Sequence, residues 1–348
     1  MYPKSDYPLI EQAVKSFGLM FHSLKVAPNS LTTHGKHGDK HYKISIDGLF
    51  YSIRLLPEKR YAESALSRST PDLLTEQLRY SDYLRANGIP FMKRVQPIHE
   101  GLFTTVQDPT GQKWTCCLFH WMAGHHVTAN TMHSAAQIGT LARQLHDLSR
   151  NYQAFHFPFV DHTVAYQRWF HDLQELSFSS MPESVRDSFQ EYLSLAHQHI
   201  DVAKHRNHFS TQPVISTDLN SLNFLWNPNQ KIVGIVDHEH IGATDRVQDL
   251  AWLIKWYART ESIESHDVSG HLAKSLLAHY NSPTVLVPKD NARLASLLWL
   301  SGCFNLHFVE QTTHLMQEAG QDSELYNSLQ LHFETYRLRG ERLTGLLS

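Results

Sequence analysis

Apolar and polar positions follow two different periods along this chain. In roughly the first third, apolar residues alternate with polar ones or form short runs, which predicts strands; afterwards they recur every third or fourth position, which predicts helices. Residues 8–17 (PLIEQAVKSF) predict a short amphipathic helix ended by Gly18, followed by a strand over Leu19–Val26. Tyr42–Ile46 and Leu49–Leu55 predict a hairpin around Asp47-Gly48, a dipeptide that accepts the left-handed backbone of a two-residue turn. Residues 71–87 predict a helix with Leu73, Leu74, Gln77, Leu78, Tyr80 and Leu84 inward, Pro71 and Asp72 in its first turn and Gly88 stopping it. Residues 91–122 read as strands around a turn at Asp108-Pro109-Thr110-Gly111.

The later pattern predicts helices over 132–148, 164–176, 183–206, 246–259, 266–281, 288–317 and 322–346, with Pro283 and Pro288 bracketing a short break. One sheet-like interruption falls among them: a strand ending at Val214-Ile215, another starting at Phe224-Leu225-Trp226, a tight turn at Asn227-Pro228-Asn229, and a return over Ile232–Val236. This layout predicts an unequal two-lobe α+β protein. The division expected is a smaller antiparallel-sheet lobe over residues 1–120 and a larger, mainly helical lobe over 121–348.

Composition narrows the classes. At 348 residues the chain exceeds the usual single core, and its 41% hydrophobic and 19% charged residues are ordinary for a globular protein. A net charge of −3 supplies neither a basic field for nucleic acid nor an acidic one for a polycation. Three cysteines, with Cys116 and Cys117 adjacent, match no disulfide framework and no zinc spacing, which points to a reducing compartment. The first residues lack a signal-peptide pattern and no apolar run reaches the ~18 residues of a membrane span, so a soluble, cytoplasmic protein is expected. The 25 histidines invite a metal reading at His125-His126 and His238-Glu239-His240. Neighbouring strand residues point to opposite faces, so only His238 and His240 could share a ligand, and no third ligand follows at a recognisable spacing.

The stretch 213–251 carries the chemistry. Asp218 and Asn223 stand five positions apart on a loop before the hairpin, Asp237 stands at the hairpin's far end, and Asp249 lies in the amphipathic run beyond. Two carboxylates and a carboxamide so placed can converge on one point, as a magnesium nucleotide requires. Phosphoryl transfer develops charge on phosphate oxygens, so the protein mainly positions groups and supplies hard oxygen ligands. Asn223 and Asp237 suit the metal. Asp218 suits the proton of an attacking hydroxyl, because an ordinary aspartate is ionised at neutral pH.

This segment resembles the catalytic segment of the aminoglycoside phosphotransferase and choline kinase family, the small-molecule branch of the protein-kinase-like fold. The family pattern is roughly HGDxHxxNxLW, then a strand, IDFE and DLA. Asp218, Asn223, Leu225, Trp226, Asp237, Glu239, Asp249, Leu250 and Ala251 stand at matching positions. Ser216, Thr217, Asn220, Leu222 and His238 depart from it. The departures change residues that brace the loop and leave the charged and metal-facing positions intact.

The resemblance implies ATP and Mg2+ as cofactors, and a kinase that moves the γ-phosphate to a hydroxyl of a small molecule such as an aminoglycoside-, choline- or homoserine-like acceptor. It makes Asp218 the catalytic residue and Asn223 and Asp237 the magnesium ligands, with Glu239 a further metal contact or an orderer of the loop. Gly35 and Gly38 fall where the family covers the nucleotide with a turn, although a plain hairpin loop fits two glycines as well. Arg54 falls where a basic residue holds phosphates, and Glu76 where a helix carboxylate pairs with it. Phe119, His120, Trp121 and Met122, with Gly124, match the hinge that carries adenine. Residues 1–120 are then the nucleotide-binding lobe and 121–348 the catalytic and acceptor-binding lobe. For the acceptor, Asp245, Arg246, Glu261, Glu264, His307 and Glu310 are candidate contacts with nothing to choose among them. Two other readings remain open: a bacterial Ser/Thr protein kinase of the stress-response or spore-coat type, and a catalytically silent nucleotide-binding relative.

Overall fold

The computed structural model describes residues 6–27, 38–58, 70–127, 129–176, 181–206, 213–238, 240–260, 267–319 and 323–347. It opens with α1 (Tyr7–Ser16) and β1 (Leu24–Val26). The strand expected over 19–26 keeps only its last three residues. The amides of His22 and Ser23 instead donate to the Asp47 carboxylate, at 3.1 and 2.7 Å, and leave the ladder. Asp47 and Gly48 hold φ of 47° and 89°, the left-handed pair that a two-residue hairpin turn requires, between β2 (Lys40–Ile46) and β3 (Leu49–Pro57).

Next come α2 (Pro71–Ala86), β4 (Thr104–Gln107) and β5 (Lys113–His120). The Thr70 hydroxyl accepts the Leu73 amide at 3.1 Å and Pro71 occupies the first turn, so α2 starts where the sequence signals it. β1 to β5 form an antiparallel sheet in the order β1-β2-β3-β5-β4. Residues 91–103, expected as strand, carry isolated bridges only, at Phe91 and Arg94. Pro90 and Pro97 lack the N–H that a ladder needs. Strand alternation divides the sheet's two faces: Ile53, Leu55 and Leu118 pack with Leu9, Ile10 and Val14 of α1, whereas Arg54, Cys117 and Phe119 lie on the other face.

The remaining elements are α3 (Met132–Ser149), α4 (His162–Gln174), α5 (Glu183–Lys204), β6 (Pro213–Ser216), β7 (Phe224–Trp226), β8 (Ile232–Ile235), β9 (Gly242–Asp245), α6 (Arg246–Tyr257), α7 (Gly270–Tyr280), α8 (Pro288–Cys303), α9 (Leu306–Ala319) and α10 (Ser323–Gly345). β7 and β8 make an antiparallel hairpin, and β6 pairs with β9. The single helix expected over 288–317 is two. Asn305 accepts the Phe308 amide at 3.1 Å and so caps a new start. α3 and α7 pack so closely that a Cβ on Gly139 would sit 2.2 Å from the Leu276 carbonyl oxygen, which only glycine avoids.

The chain forms two compact units. The first comprises residues 1–126, 151–158 and 222–242, so the β7–β8 hairpin clusters with the N-terminal sheet; the second comprises 127–150, 159–221 and 243–348. Among the described residues no helix is long and apolar enough to cross a membrane.

Candidate active site

In the first unit, the hairpin gathers two of the predicted ligands. Asn223 ends a short 3-10 turn (Ser221–Asn223) that runs straight into β7, and Asp237 follows β8 by two residues. The Val236 amide donates to the Asn223 carbonyl at 2.9 Å, which closes the open end of the hairpin one residue before Asp237. Asp237 adopts φ 76°, a left-handed conformation that costs a non-glycine residue and persists only where its surroundings impose it. Arg54, 8% exposed on β3, donates from Nη1 to Asp237 Oδ1 at 2.9 Å. One carboxylate and one carboxamide fit a hard divalent cation that keeps waters and phosphate oxygens in its remaining positions. Among the described residues no group of three or more His, Cys, Asp or Glu side chains forms a ready cage. Glu239 and Gly35 lie outside the described residues. Gly38 precedes β2 with φ 77°, which suits glycine.

The pairing expected between Arg54 and Glu76 is not the one formed. Glu76, buried on α2, accepts the amides of Phe155 (2.7 Å) and His156 with its two carboxylate oxygens. Two inward backbone N–H groups need acceptors, and a carboxylate satisfies both. Arg54 turns to Asp237 instead.

The hinge residues separate. Phe119 is 1% exposed with its ring 5.4 Å from that of His238, which is fully buried. His238 thus keeps an aromatic plug where the family has phenylalanine. His120 lies over Tyr51 (5.3 Å between rings) on the other face, and its amide is spent on the Lys93 carbonyl at 2.8 Å. Burial, then Lys93 and Arg85, lowers its imidazole below the usual range. Trp121 lies under the Lys43 ammonium (4.1 Å to the ring) and its amide is used by Phe50 at 3.0 Å. Met122 reaches the hairpin: a Cβ on Gly234 would stand 2.9 Å from its Cε. Among the described residues the histidine pair beyond joins no group of three or more His, Cys, Asp or Glu side chains. His125 exchanges backbone bonds with Trp226 at 3.0 and 2.8 Å, and a His126 ring nitrogen meets the Phe224 carbonyl at 2.9 Å.

Asp218 belongs to the second unit, at the end of the loop that leaves β6. It holds φ 47° and is half-buried. Asn220, which stands where the family has a second histidine, bonds it twice: its side-chain amide donates to the Asp218 carboxylate at 3.1 Å and its backbone amide to the Asp218 carbonyl at 2.8 Å. The hydroxyl of Tyr257, a fully buried residue at the end of α6, donates to the next carbonyl, that of Leu219, at 2.9 Å. Burial, then the neighbouring Asp218 charge, raises the Tyr257 phenol far above its usual range, so it stays a donor.

Asp249 serves structure here. Its Oδ2 meets His146 Nε2 at 2.8 Å, and His146 Nδ1 meets the Tyr280 hydroxyl at 2.8 Å, all three buried. Of the acceptor candidates, Asp245 is fully buried in a two-point pair with Arg293 (2.8 and 2.7 Å) and Arg246 is 3% exposed, so neither faces solvent. His307 and Glu310 are exposed. Glu261 and Glu264 lie outside the described residues. Nothing in the local pattern marks Tyr257, Asn220 or His146 as supports; a buried hydroxyl or imidazole reads as core until its distant partner is seen.

Solved structures share this architecture. The microcompartment-associated aminopropanol kinase superposes with a TM-score of 0.63 at 17% identity, covering 99% of this chain and 100% of that one. An aminoglycoside phosphotransferase from Alicyclobacillus acidocaldarius subsp. acidocaldarius DSM 446 gives 0.62 at 13% identity, covering 100% and 95%. Amicoumacin kinase hAmiN, in complex with AMP-PNP, Ca2+ and Ami, gives 0.60 at 14% identity, covering 97% and 94%. At such identities the likeness shows a kinase-like fold. No curated protein sequence matches significantly. The sequence profile of the phosphotransferase enzyme family matches residues 59–284, well over half of the chain, and it is to this family that the chain belongs.

Proposed function

We propose that the protein is an ATP- and Mg2+-dependent kinase that moves the γ-phosphate of ATP to a hydroxyl of a small molecule. The observation that supports this reading is the closed hairpin end, where the Val236–Asn223 backbone bond brings the chain at Asn223 next to the residue before Asp237, whose carboxylate Arg54 already grips. Asn223 and Asp237 would hold magnesium, which when bound neutralises charge on the phosphate oxygens. Arg54, whose guanidinium stays charged and forks onto oxyanions, would orient the phosphates. Met122 lies against Gly234 of the hairpin, whereas the amides of His120 and Trp121 are already spent on the Lys93 and Phe50 carbonyls, so Met122 and the residues after it would meet the adenine. Asp218, fixed by Asn220 and Tyr257, would orient the acceptor hydroxyl and take its proton. The nucleotide analogue and calcium named with the amicoumacin kinase, and the small-molecule acceptors named with these relatives, support a nucleotide, a divalent ion and a small acceptor here. We place the protein in the cytoplasm, where its three buried, free thiols stay reduced.

The test has two steps. ATP with Mg2+ should stabilise the protein by about 2.7 kcal/mol at roughly a hundredfold excess over the dissociation constant. A screen of hydroxylated metabolites and aminoglycosides should then reveal acceptor-dependent ADP release that Asp237→Ala abolishes. Unchanged turnover in that variant rejects the assignment. Labelled phosphate on protein instead of a soluble product would favour a protein kinase.

A further inference from the structure

α6 carries on one side a stripe that the proposed chemistry leaves unused. Trp252, Lys255 and Trp256 recur at i, i+3 and i+4, so they share a face; Arg259 follows two residues past the helix end, and all four are half-buried. The Lys255 ammonium stands 4.7 Å over the Trp252 ring and the Arg259 guanidinium 4.5 Å over the Trp256 ring, with the two indoles 6.1 Å apart. The end of α6 is held in place by Asn130, whose amide donates to the carbonyls of Trp256 and Arg259 at 3.0 and 3.1 Å. α10 comes alongside through Arg342, which pairs with Asp267 at 3.1 Å on the segment that returns to Arg259 and Ala258. One turn earlier on α10, Arg339 acts electrostatically on both Lys255 and Arg259.

What distinguishes this cluster is a surplus of donors. Among the described residues, no carboxylate lies within ion-pairing distance of Lys255 or Arg339, whereas Arg337 and Arg342 on the same helix both have one. Trp256 Nε1 and Arg339 Nε are buried atoms without a hydrogen-bond partner among the described residues. Buried polar atoms are nearly always partnered, and those left over call for a water, an ion or a ligand. Attraction to the carbonyls of the helix end accounts for Arg259, whose Nε donates to the Lys255 carbonyl at 3.1 Å, but for neither Lys255 nor Arg339. The neighbouring Cys303 thiol adds no negative charge, since burial pushes it up to about 12.

We propose that this face of α6, with Arg339 of α10, is a binding site for an oxyanion, a carboxylate or phosphate carried by a small molecule with a flat or apolar body. Trp256 Nε1, Arg339 Nε and the Lys255 ammonium take the oxygens, and the indoles take the body. Such a fork-plus-ring arrangement suits an oxyanion and repels the amines of an aminoglycoside. The site stands on its own residues and does not depend on what Asp218 does.

The probes are inorganic phosphate and benzoate, titrated against the full chain at constant ionic strength with chloride, and benzamide as the uncharged counterpart of benzoate. The readout is the indole N–H proton resonance of Trp256, assigned by its loss in Trp256→Phe. A saturable shift with benzoate or phosphate is expected, and Lys255→Gln and Arg339→Gln should each weaken binding by about tenfold or more. Lys255→Arg, which keeps charge and fold, should bind within a few-fold of wild type. No shift beyond that of chloride, an equal response to benzamide, or unchanged affinity in both Gln variants would overturn the site. Saturation by benzoate together with turnover confined to acidic acceptors identifies the oxyanion as the acceptor's own; saturation with turnover of neutral acceptors identifies a separate anionic effector. Anion binding with no ADP release from any acceptor would count against the kinase reading and leave this site standing.

Discussion

The hydroxyl of Tyr257 donates to the carbonyl of Leu219 at 2.9 Å, one residue beyond the left-handed Asp218. A helix end is thereby tied to the loop that must present a carboxylate at a fixed angle. Removing the hydroxyl leaves a buried carbonyl without its donor, a loss of about 1–3 kcal/mol in stability. Tyr257→Phe is expected to keep the fold and to lower kcat by about tenfold, which corresponds to about 1.4 kcal/mol of transition-state stabilisation, with the KM for ATP little changed. Steady-state kinetics check the split; a variant that alters only KM contradicts a positioning role.

Glu76 makes a different prediction from the one its helix position suggested. Because its oxygens accept the amides of Phe155 and His156, Glu76→Ala should speed hydrogen exchange at those two amides and cost about 1–3 kcal/mol. Amides that stay protected, or a chief effect on nucleotide affinity, would contradict this role and favour a Glu76 that acts on Arg54.

The Asp245–Arg293 pair is buried on both sides, at 1% side-chain exposure each. Asp245→Ala strands a guanidinium and also removes the acceptor of the Gln248 amide at the start of α6, so a loss of about 3–5 kcal/mol is expected. Asp245→Leu combined with Arg293→Met removes both charges and should regain most of it. Urea denaturation of the single and double variants measures the difference.

Lys255 ties stability to pH. Burial, then the charges of Arg259 just past the end of α6 and Arg339 on α10, holds its amine down to about 7 from 10.5, with Cys303 opposing. Between those values the unfolded chain binds more protons than the folded one, so the penalty is full below pH 7 and fades as pH climbs toward 10.5. Lys255→Met should therefore raise Tm most at or below pH 7 and progressively less above it. Parallel melting curves for wild type and variant from pH 7 to 10 would contradict this.

The parts of the site that the sequence disclosed are those built from neighbours in the chain. Asp47-Gly48 signals its turn by itself, although His22 and Ser23 then bond to it, and the strands that carry Asn223 and Asp237 are neighbours in the chain that pair with each other. What stayed hidden depends on partners far along the chain. Arg54 chooses Asp237 over Glu76 because residues 155 and 156 bring competing amides to the carboxylate. The break between α8 and α9 turns on whether Asn305 caps or continues, which the apolar stripe over 288–317 does not encode. Tyr257 and His146 look like ordinary core residues until Leu219 and Asp249 are beside them.

The hairpin of β7 and β8 has one further consequence. Its open end carries Asn223 and Asp237, while its tip closes separately through the Asn227 amide on Lys231 at 3.0 Å. Tip and base are thus insulated from each other by a full length of strand. A fluorophore or short epitope spliced in at Pro228-Asn229 would ride on the same ribbon as Asn223 and Asp237 without touching them, giving an attachment point that leaves the chemistry alone.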